Sequence, residues 1–168
     1  MRIAEDVYMV GSGQIGISNE GDCHVYLLDG GEELALIDAG VGHQPERIVA
    51  NIRAEGFDER RVRWLLLTHC HADHAGGCRA LKGLTGARIA CTAIEGRLLA
   101  GGSDEELGLE VAKRSGMYPP DYVFEHVPPD LILAHGQELA VGRHTLRTIV
   151  VGGHSWECAC FVVDRPMV

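Results

Sequence analysis

The stretch Leu65–Gly77, LLLTHCHADHAGG, sets three histidines and an aspartate inside six positions directly behind a run of leucines. Residues 62–67, VRWLLL, are continuously apolar at their end and read as a strand covered on both faces. His69 and His71 lie two apart at its mouth. Side chains i and i+2 of an extended segment point to the same side, so both imidazoles can face one cation while Cys70 points away. Asp73 and His74 follow as the chain turns, and Ala75, Gly76 and Gly77 are small enough for a sharp backbone bend. Four ligand-type side chains so placed suit the preferences of divalent metals for His and Asp better than they suit an ordinary polar strand end.

The rest of the chain bounds what such a cluster could serve. At 168 residues it has the length of a single domain, residues 1–168, large enough to bury a core without disulfides or structural metal. Fifteen Lys and Arg against 24 Asp and Glu give a formal charge of −9, which repels phosphate backbones and anionic membranes. Nucleic acid and membranes are therefore not expected partners, and a small-molecule substrate is. The N-terminus, MRIAEDVYMVGSG, has no apolar signal region, and no stretch approaches the ~18 apolar residues of a span. A cytoplasmic location is expected. The six cysteines, without a CxxC, are expected as reduced thiols packed as small hydrophobes, with Cys23, Cys91, Cys158 and Cys160 in apolar, strand-like surroundings.

Along the chain, Val7–Val10, His24–Leu28 and Leu34–Ile37 carry strand signals, with Gly30 and Gly31 turning between the last two. QPERIVANIRAEGF predicts an amphipathic helix with Pro45 in its first turn and Gly56 ending it. After the histidine motif, GGCRALKGLTG predicts a short helix, ARIACTA a strand, and IEGRLLAGG and SDEELGLEVAKRSG two helices, the last capped by Ser103. MYPPDYVFEHVPPD, with four of the six prolines, predicts an extended loop, and from Gln137 a hairpin around Gly142 precedes a strand in CACFVV. Sheets with helices packed outside, in one α/β or α+β unit, fit this order.

VYMVGSGQIG spells GxGxxG after a strand, with Asp38 about twenty residues on, as a dinucleotide fingerprint requires. Only seven residues, 17–23, separate the third glycine from the next strand, and Asn19, Gly21 and Asp22 among them favour a turn. A parallel crossover needs a dozen or more. A glycine loop between antiparallel strands is expected instead.

THCHADHAGG resembles the HxHxDH signature of the metallo-β-lactamase superfamily, which includes glyoxalase II, lactonases and many other hydrolases. The likeness extends over essentially the whole chain: LIDAG resembles the family's first motif, with Asp38 supporting the metal ligands from behind, and VVGGHSWECACF resembles the segment of its third metal histidine, His154. The resemblance implies an αββα sandwich with the site at one edge between two sheets. It implies that His69, His71 and His154 bind a first metal and that Asp73 with His74 begins a second site. Three neutral imidazoles leave a coordination position open for water, the arrangement of a catalytic rather than a structural zinc site. The expected cofactor is zinc, as one or two ions, with iron or manganese as alternatives.

The sequence also departs from the family pattern. Two further ligands, an aspartate bridging both metals and a last histidine, should follow the third histidine, and Asp164, in a turn-like DRP, comes too early. The expectation is a C-terminally truncated domain whose second sheet needs a missing segment, or a second copy of the chain, to cover its edge and apolar face. Trp156 is expected to cap the core rather than line the pocket, Cys158 is not expected as a ligand, and His24 is expected as a hydrogen-bonded sheet histidine. His43, His126, His135 and His144 fall in loops or turns. The loops 11–22 and 117–130 are the candidate pocket walls.

The chemistry that follows is metal-dependent hydrolysis of an ester, thioester, lactone or amide carbonyl, resting on His71 as ligand and Asp73 as the group that orients the nucleophile or holds a second ion. A zinc-bound water has a pKa of ~7 rather than 15.7, so no serine or cysteine nucleophile is required. The rival readings are iron-dependent oxidoreduction, as in the persulfide dioxygenases of the same superfamily, phosphodiester cleavage, disfavoured by the acidic balance, and a non-catalytic metal-binding module.

Overall fold

The structure, a computed structural model, describes residues 1–164. Strands β1 (Arg2–Ala4), β2 (Val7–Gly11), β3 (Val25–Asp29) and β4 (Leu34–Ile37) form an antiparallel meander. Strands β5 (Val62–Leu66), β6 (Arg88–Cys91) and β7 (Leu131–Ile132) extend the same sheet in parallel, giving seven strands in the order of the chain. Helix α1 (Pro45–Ala54) lies between β4 and β5, α2 (Ala72–Ala75) and α3 (Cys78–Thr85) between β5 and β6, and α4 (Ala93–Gly101) and α5 (Leu109–Arg114) between β6 and β7. A separate antiparallel sheet holds β8 (Glu138–Val141), β9 (His144–Val151) and β10 (Cys158–Asp164), with β9 in the middle.

Alternation along the strands decides the layers. Leu27, Leu34, Leu36, Leu65 and Ile89 point to one face of the large sheet and join Ile48, Ile52 and Leu81 of α1 and α3 in the main core. Their neighbours Leu28, Ala35, Leu66 and Ala90 point to the other face and pack with Val141 and Leu146 of the small sheet. Because a strand has a side-chain period of two, a run apolar at every position serves both faces at once. Helices, large sheet and small sheet are thus stacked in that order, as three layers of the expected sandwich. The small sheet is pinned at both ends: Ala159 N–H donates to Thr68 O (2.8 Å) at one, and at the other Arg143 and His144 reach Asp6 of the β1–β2 turn, at 2.7 and 3.0 Å.

Several local expectations are corrected. Strand β1 precedes the first one read from the sequence. SDEELGLEVAKRSG forms a helix only over Leu109–Arg114, because Gly108 adopts a left-handed backbone (φ 70°) that interrupts it; Ser103 and Glu106 cap each other across the preceding turn. Asp164 is a strand residue opposite Thr145 rather than part of a turn, and the remainder of DRP lies outside the described residues. His144 opens β9 and is buried, not in a loop. The glycine motif holds no helix: residues 12–24 link the antiparallel β2 and β3, and Asn51 of α1 donates to Val10 O in β2 and to Ile17 O within the link. No helix among the described residues is long and apolar enough to cross a membrane.

Gly76 and Gly77 also have a different reason for being glycine. Both have ordinary right-handed backbone, so they are not needed for a bend. A Cβ on Gly77 would sit 2.2 Å from Ala39 O, and one on Gly76 would sit 2.5 Å from Val41 O, so the segment after His74 lies against the segment after Asp38 with no room for a methyl. Gly77→Ala is expected to cost about 2–4 kcal/mol of stability, measured by urea unfolding, since backbone must move to admit it.

Candidate metal centre

The loop leaving β5 carries His69 and His71, and the loop leading into β10 carries His154. Their ring centroids are 4.7 Å apart in all three pairs, with planes crossed at 80°, 82° and 78°. Ring nitrogens of the three lie within 4.8 Å of one another, and His71 Nδ1 stands 3.1 Å from His154 Nε2. Two nitrogens at about 2.0–2.1 Å from one tetrahedral zinc are ~3.3 Å apart, so this separation suits two ligands of a single ion. His71 and His154 are 83 residues apart in the chain, and the fold brings both beside His69.

The protonation of His69 follows from its partners. Thr68 Oγ1 donates to Asp38 Oδ2 at 2.8 Å, so it accepts from His69 Nδ1–H at 3.0 Å, leaving Nε2 with a lone pair. That Nε2 is buried and has no hydrogen-bond partner among the described residues. An orphaned acceptor in the interior is costly, and a cation beside it would satisfy it. Burial, reinforced by His74, His71 and His154, lowers the His69 pKa to about 3, and burial with His154 also holds His71 below its ordinary value. Both are therefore in the neutral form that a metal requires. The residues present fit a divalent ion.

Asp38 lies behind this triad, joined to it through Thr68 and His74. It sits just past β4 with a positive φ of 63° and accepts from Thr68 N–H and Thr68 Oγ1 and from His74 Nδ1, each at 2.8 Å. The His74 ring lies 4.1 Å from that of His69, tilted at 46° to it, and its Nε2 is 3.4 Å from Asp73 Oδ2. Burial alone would lower its pKa, but the hydrogen bond and charge of Asp38, with Asp73, raise it above the ordinary value. Asp38→Ala removes the acceptor that fixes both Thr68 and His74. Metal affinity, read by competition with a chromophoric chelator, is expected to fall ~10–100-fold, the usual result of losing a group that orients a ligand.

Other groups were not legible beforehand. Cys23, read as one of the apolar strand cysteines, instead ends the loop before β3 with its Sγ within 4.8 Å of Asp38 and His74 ligand atoms; burial holds its thiol well above the usual range. Tyr118, also raised by burial, lies beside the Asp73 carboxylate. Glu95, in the first turn of α4, is 1% exposed and takes Cys70 N–H at 2.8 Å on one oxygen, Ser155 Oγ and Glu157 N–H on the other. Thr92 Oγ1 donates to Glu157 O, and the Glu157 carboxylate accepts from Ile94 N–H. The start of α4 thus clasps the His69–His71 loop and the His154 loop together. Trp156 is the reverse of its expectation, 75% exposed and lining a shallow hollow with His154 rather than packed in the core. Of the two candidate walls, Met117 and Tyr118 of the second border a cavity of about 400 Å³ that includes His71, Asp73 and His154; no residue of 11–22 lines it.

The description of the metallo-beta-lactamase superfamily matches residues 18–163. The chain belongs to that superfamily. It is 30% identical over 158 residues to a protein of Burkholderia pseudomallei named as a probable metallo-hydrolase, covering 83% of this chain and 47% of that protein. It is 32% identical over 134 residues to a hydroxyacylglutathione hydrolase of Anaeromyxobacter dehalogenans, covering 80% and 39%. The chain spans less than half the length of these curated relatives. Among solved structures, a metallo-beta-lactamase of Cronobacter sakazakii superposes with a TM-score of 0.80 at 27% identity over 98% of this chain and 59% of that one. A beta-lactamase from Chitinophaga pinensis gives 0.78 at 27% identity over 98% and 56%. The fold is that of the superfamily, and the histidine cluster within it is a group that could hold a metal ion.

Proposed function

We propose that the protein is a zinc-dependent hydrolase that cleaves an ester, thioester, lactone or amide carbonyl of a small molecule. The observation that carries this reading is the triad of mutually perpendicular imidazoles with the buried, unpartnered Nε2 of His69 aimed into it. His69, His71 and His154 would hold the ion, and His74 with Asp73 offers donors for a second. Bound there, zinc supplies an ionisable water and a Lewis acid for the carbonyl oxygen. The chain's own part is positional. Asp73, half-exposed at the floor of the cavity, would orient the attacking water or hold a second ion, and Tyr118 beside it closes that side against solvent. The hydrolase names of the relatives support the same chemistry.

The test is elemental analysis of protein purified without added metal, followed by turnover of a panel of thioesters, lactones and β-lactams before and after chelation. Hydrolysis of at least one substrate that is lost with the chelator and restored by zinc is the expected result. Tightly bound iron with no hydrolysis would overturn the reading in favour of oxidoreduction.

A further inference from the structure

The cavity at the triad has one polar side and one apolar side. Its floor is His71, Asp73 and His154, and its wall comes from α5 and the segment after it: Leu109, Val111, Ala112, Met117 and Tyr118. Leu109 and Ala112, three apart, lie on one face of the helix, and Val111 joins them at the edge of the same cleft. Leu109 is 1% exposed and Tyr118 is buried, which makes the back of the wall rigid, whereas Val111 and Met117 stand 63% and 71% exposed on its rim. Single exposed apolar residues are ordinary on a protein surface, but two that flank a cleft ending at a metal triad are the signature of a ligand groove. The cations of α5 are turned elsewhere. Lys113 Nζ is held by Asp104 Oδ2 at 2.7 Å and Arg114 Nε by Glu110 O, and among the described residues no lysine or arginine lines the cavity.

The geometry points to an apolar acyl chain as the occupant of this wall, so that the substrate is an ester or thioester of a medium-chain acid whose carbonyl lies over the histidines. This rests on the hydrolase reading above and adds the side of the substrate that the wall selects. A substrate whose anionic group had to bind along α5 would find no counter-charge there. Val111 and Met117 are then the residues that determine chain-length preference, closing over the methylenes and losing their own exposure as they do.

The experiment uses the zinc-loaded protein and the p-nitrophenyl esters of acetate, butyrate and hexanoate, with calorimetric titration of hexanoate and acetate in parallel. kcat/KM is expected to rise between two- and fourfold per added methylene, fourfold corresponding to the ~0.8 kcal/mol of a fully buried CH₂. Val111→Asp and Met117→Lys are expected to cut the hexanoate-to-acetate ratio at least tenfold, while Val123→Asp, on an exposed position outside this cavity, leaves it unchanged. A series without slope, or a slope that survives both wall variants, would overturn the inference. Should none of the esters turn over, the hydrolase reading is what has failed, and the titration decides the wall by itself: tighter binding of hexanoate than acetate that disappears in Val111→Asp upholds it, and equal binding refutes it.

Discussion

His154→Ala is expected to weaken zinc binding by more than ~100-fold and to abolish any zinc-dependent turnover, while leaving the metal-free protein as stable as before. The first part follows from the triad: with His154 gone, only two imidazoles remain about the point where three nitrogens converge, and a direct ligand matters more than a group that merely orients one, itself worth 10–100-fold. The second part follows from exposure. His154 is the outermost of the three, and the side chains that place its loop are Ser155, Glu157 and Thr92 rather than its own ring, so truncation leaves no cavity. Surface truncations of that kind stay within about 0.5 kcal/mol. Chelator competition and urea unfolding of the metal-free protein measure the two halves separately. Unchanged zinc affinity would mean that the convergence of the three rings has no role in binding.

Glu95→Ala should act in the opposite proportion, with a loss of about 3 kcal/mol in stability and a secondary loss of metal affinity. Its carboxylate is buried and receives Cys70 N–H, Ser155 Oγ–H and Glu157 N–H. Removing it leaves buried donors without acceptors, each costing on the order of 1–3 kcal/mol, reduced where water enters the gap. It also releases the loop of His69 and His71 from the loop of His154, so zinc affinity is expected to fall by roughly 10–100-fold, as for other groups that orient ligands. Glu95→Gln keeps one acceptor and is expected to recover part of both. A Glu95→Ala protein with wild-type unfolding and wild-type affinity would show that the two loops are positioned independently of α4.

The contrast between these two residues also explains how much could be read from the sequence. His69, His71, Asp73 and His74 announce themselves because ligand-type residues at strand-mouth spacing have few other uses, and Asp38 and His154 follow from the motifs around them. The apolar runs at β4, β5 and β6 gave the sheet for the same reason: burial on both faces permits little else. Glu95 and Glu157 leave no such mark. Each is a glutamate at the edge of a helix or strand, the commonest solvent-facing choice, and only the approach of α4 to two distant loops turns them inward. Trp156 misleads in the reverse sense, since size argues for packing but the tethering of its neighbours Ser155 and Glu157 to the start of α4 leaves its ring outside. The glycines at 76 and 77 were legible as small but not as a crossing point, because the neighbour that forbids a methyl, the Ala39–Val41 segment, is contributed from more than thirty residues away.

The clasp formed by the start of α4 has a thermodynamic corollary. Its hydrogen bonds, like those of Asp38 to Thr68 and His74, run between protein groups, so they hold the donors in register without calling on a cation and leave little chain entropy to be lost when one binds. Zinc uptake in such a pocket is an act of recognition rather than of folding: far-ultraviolet circular dichroism of the chelated and reconstituted protein should coincide, in contrast to small zinc domains that collapse only around their metal.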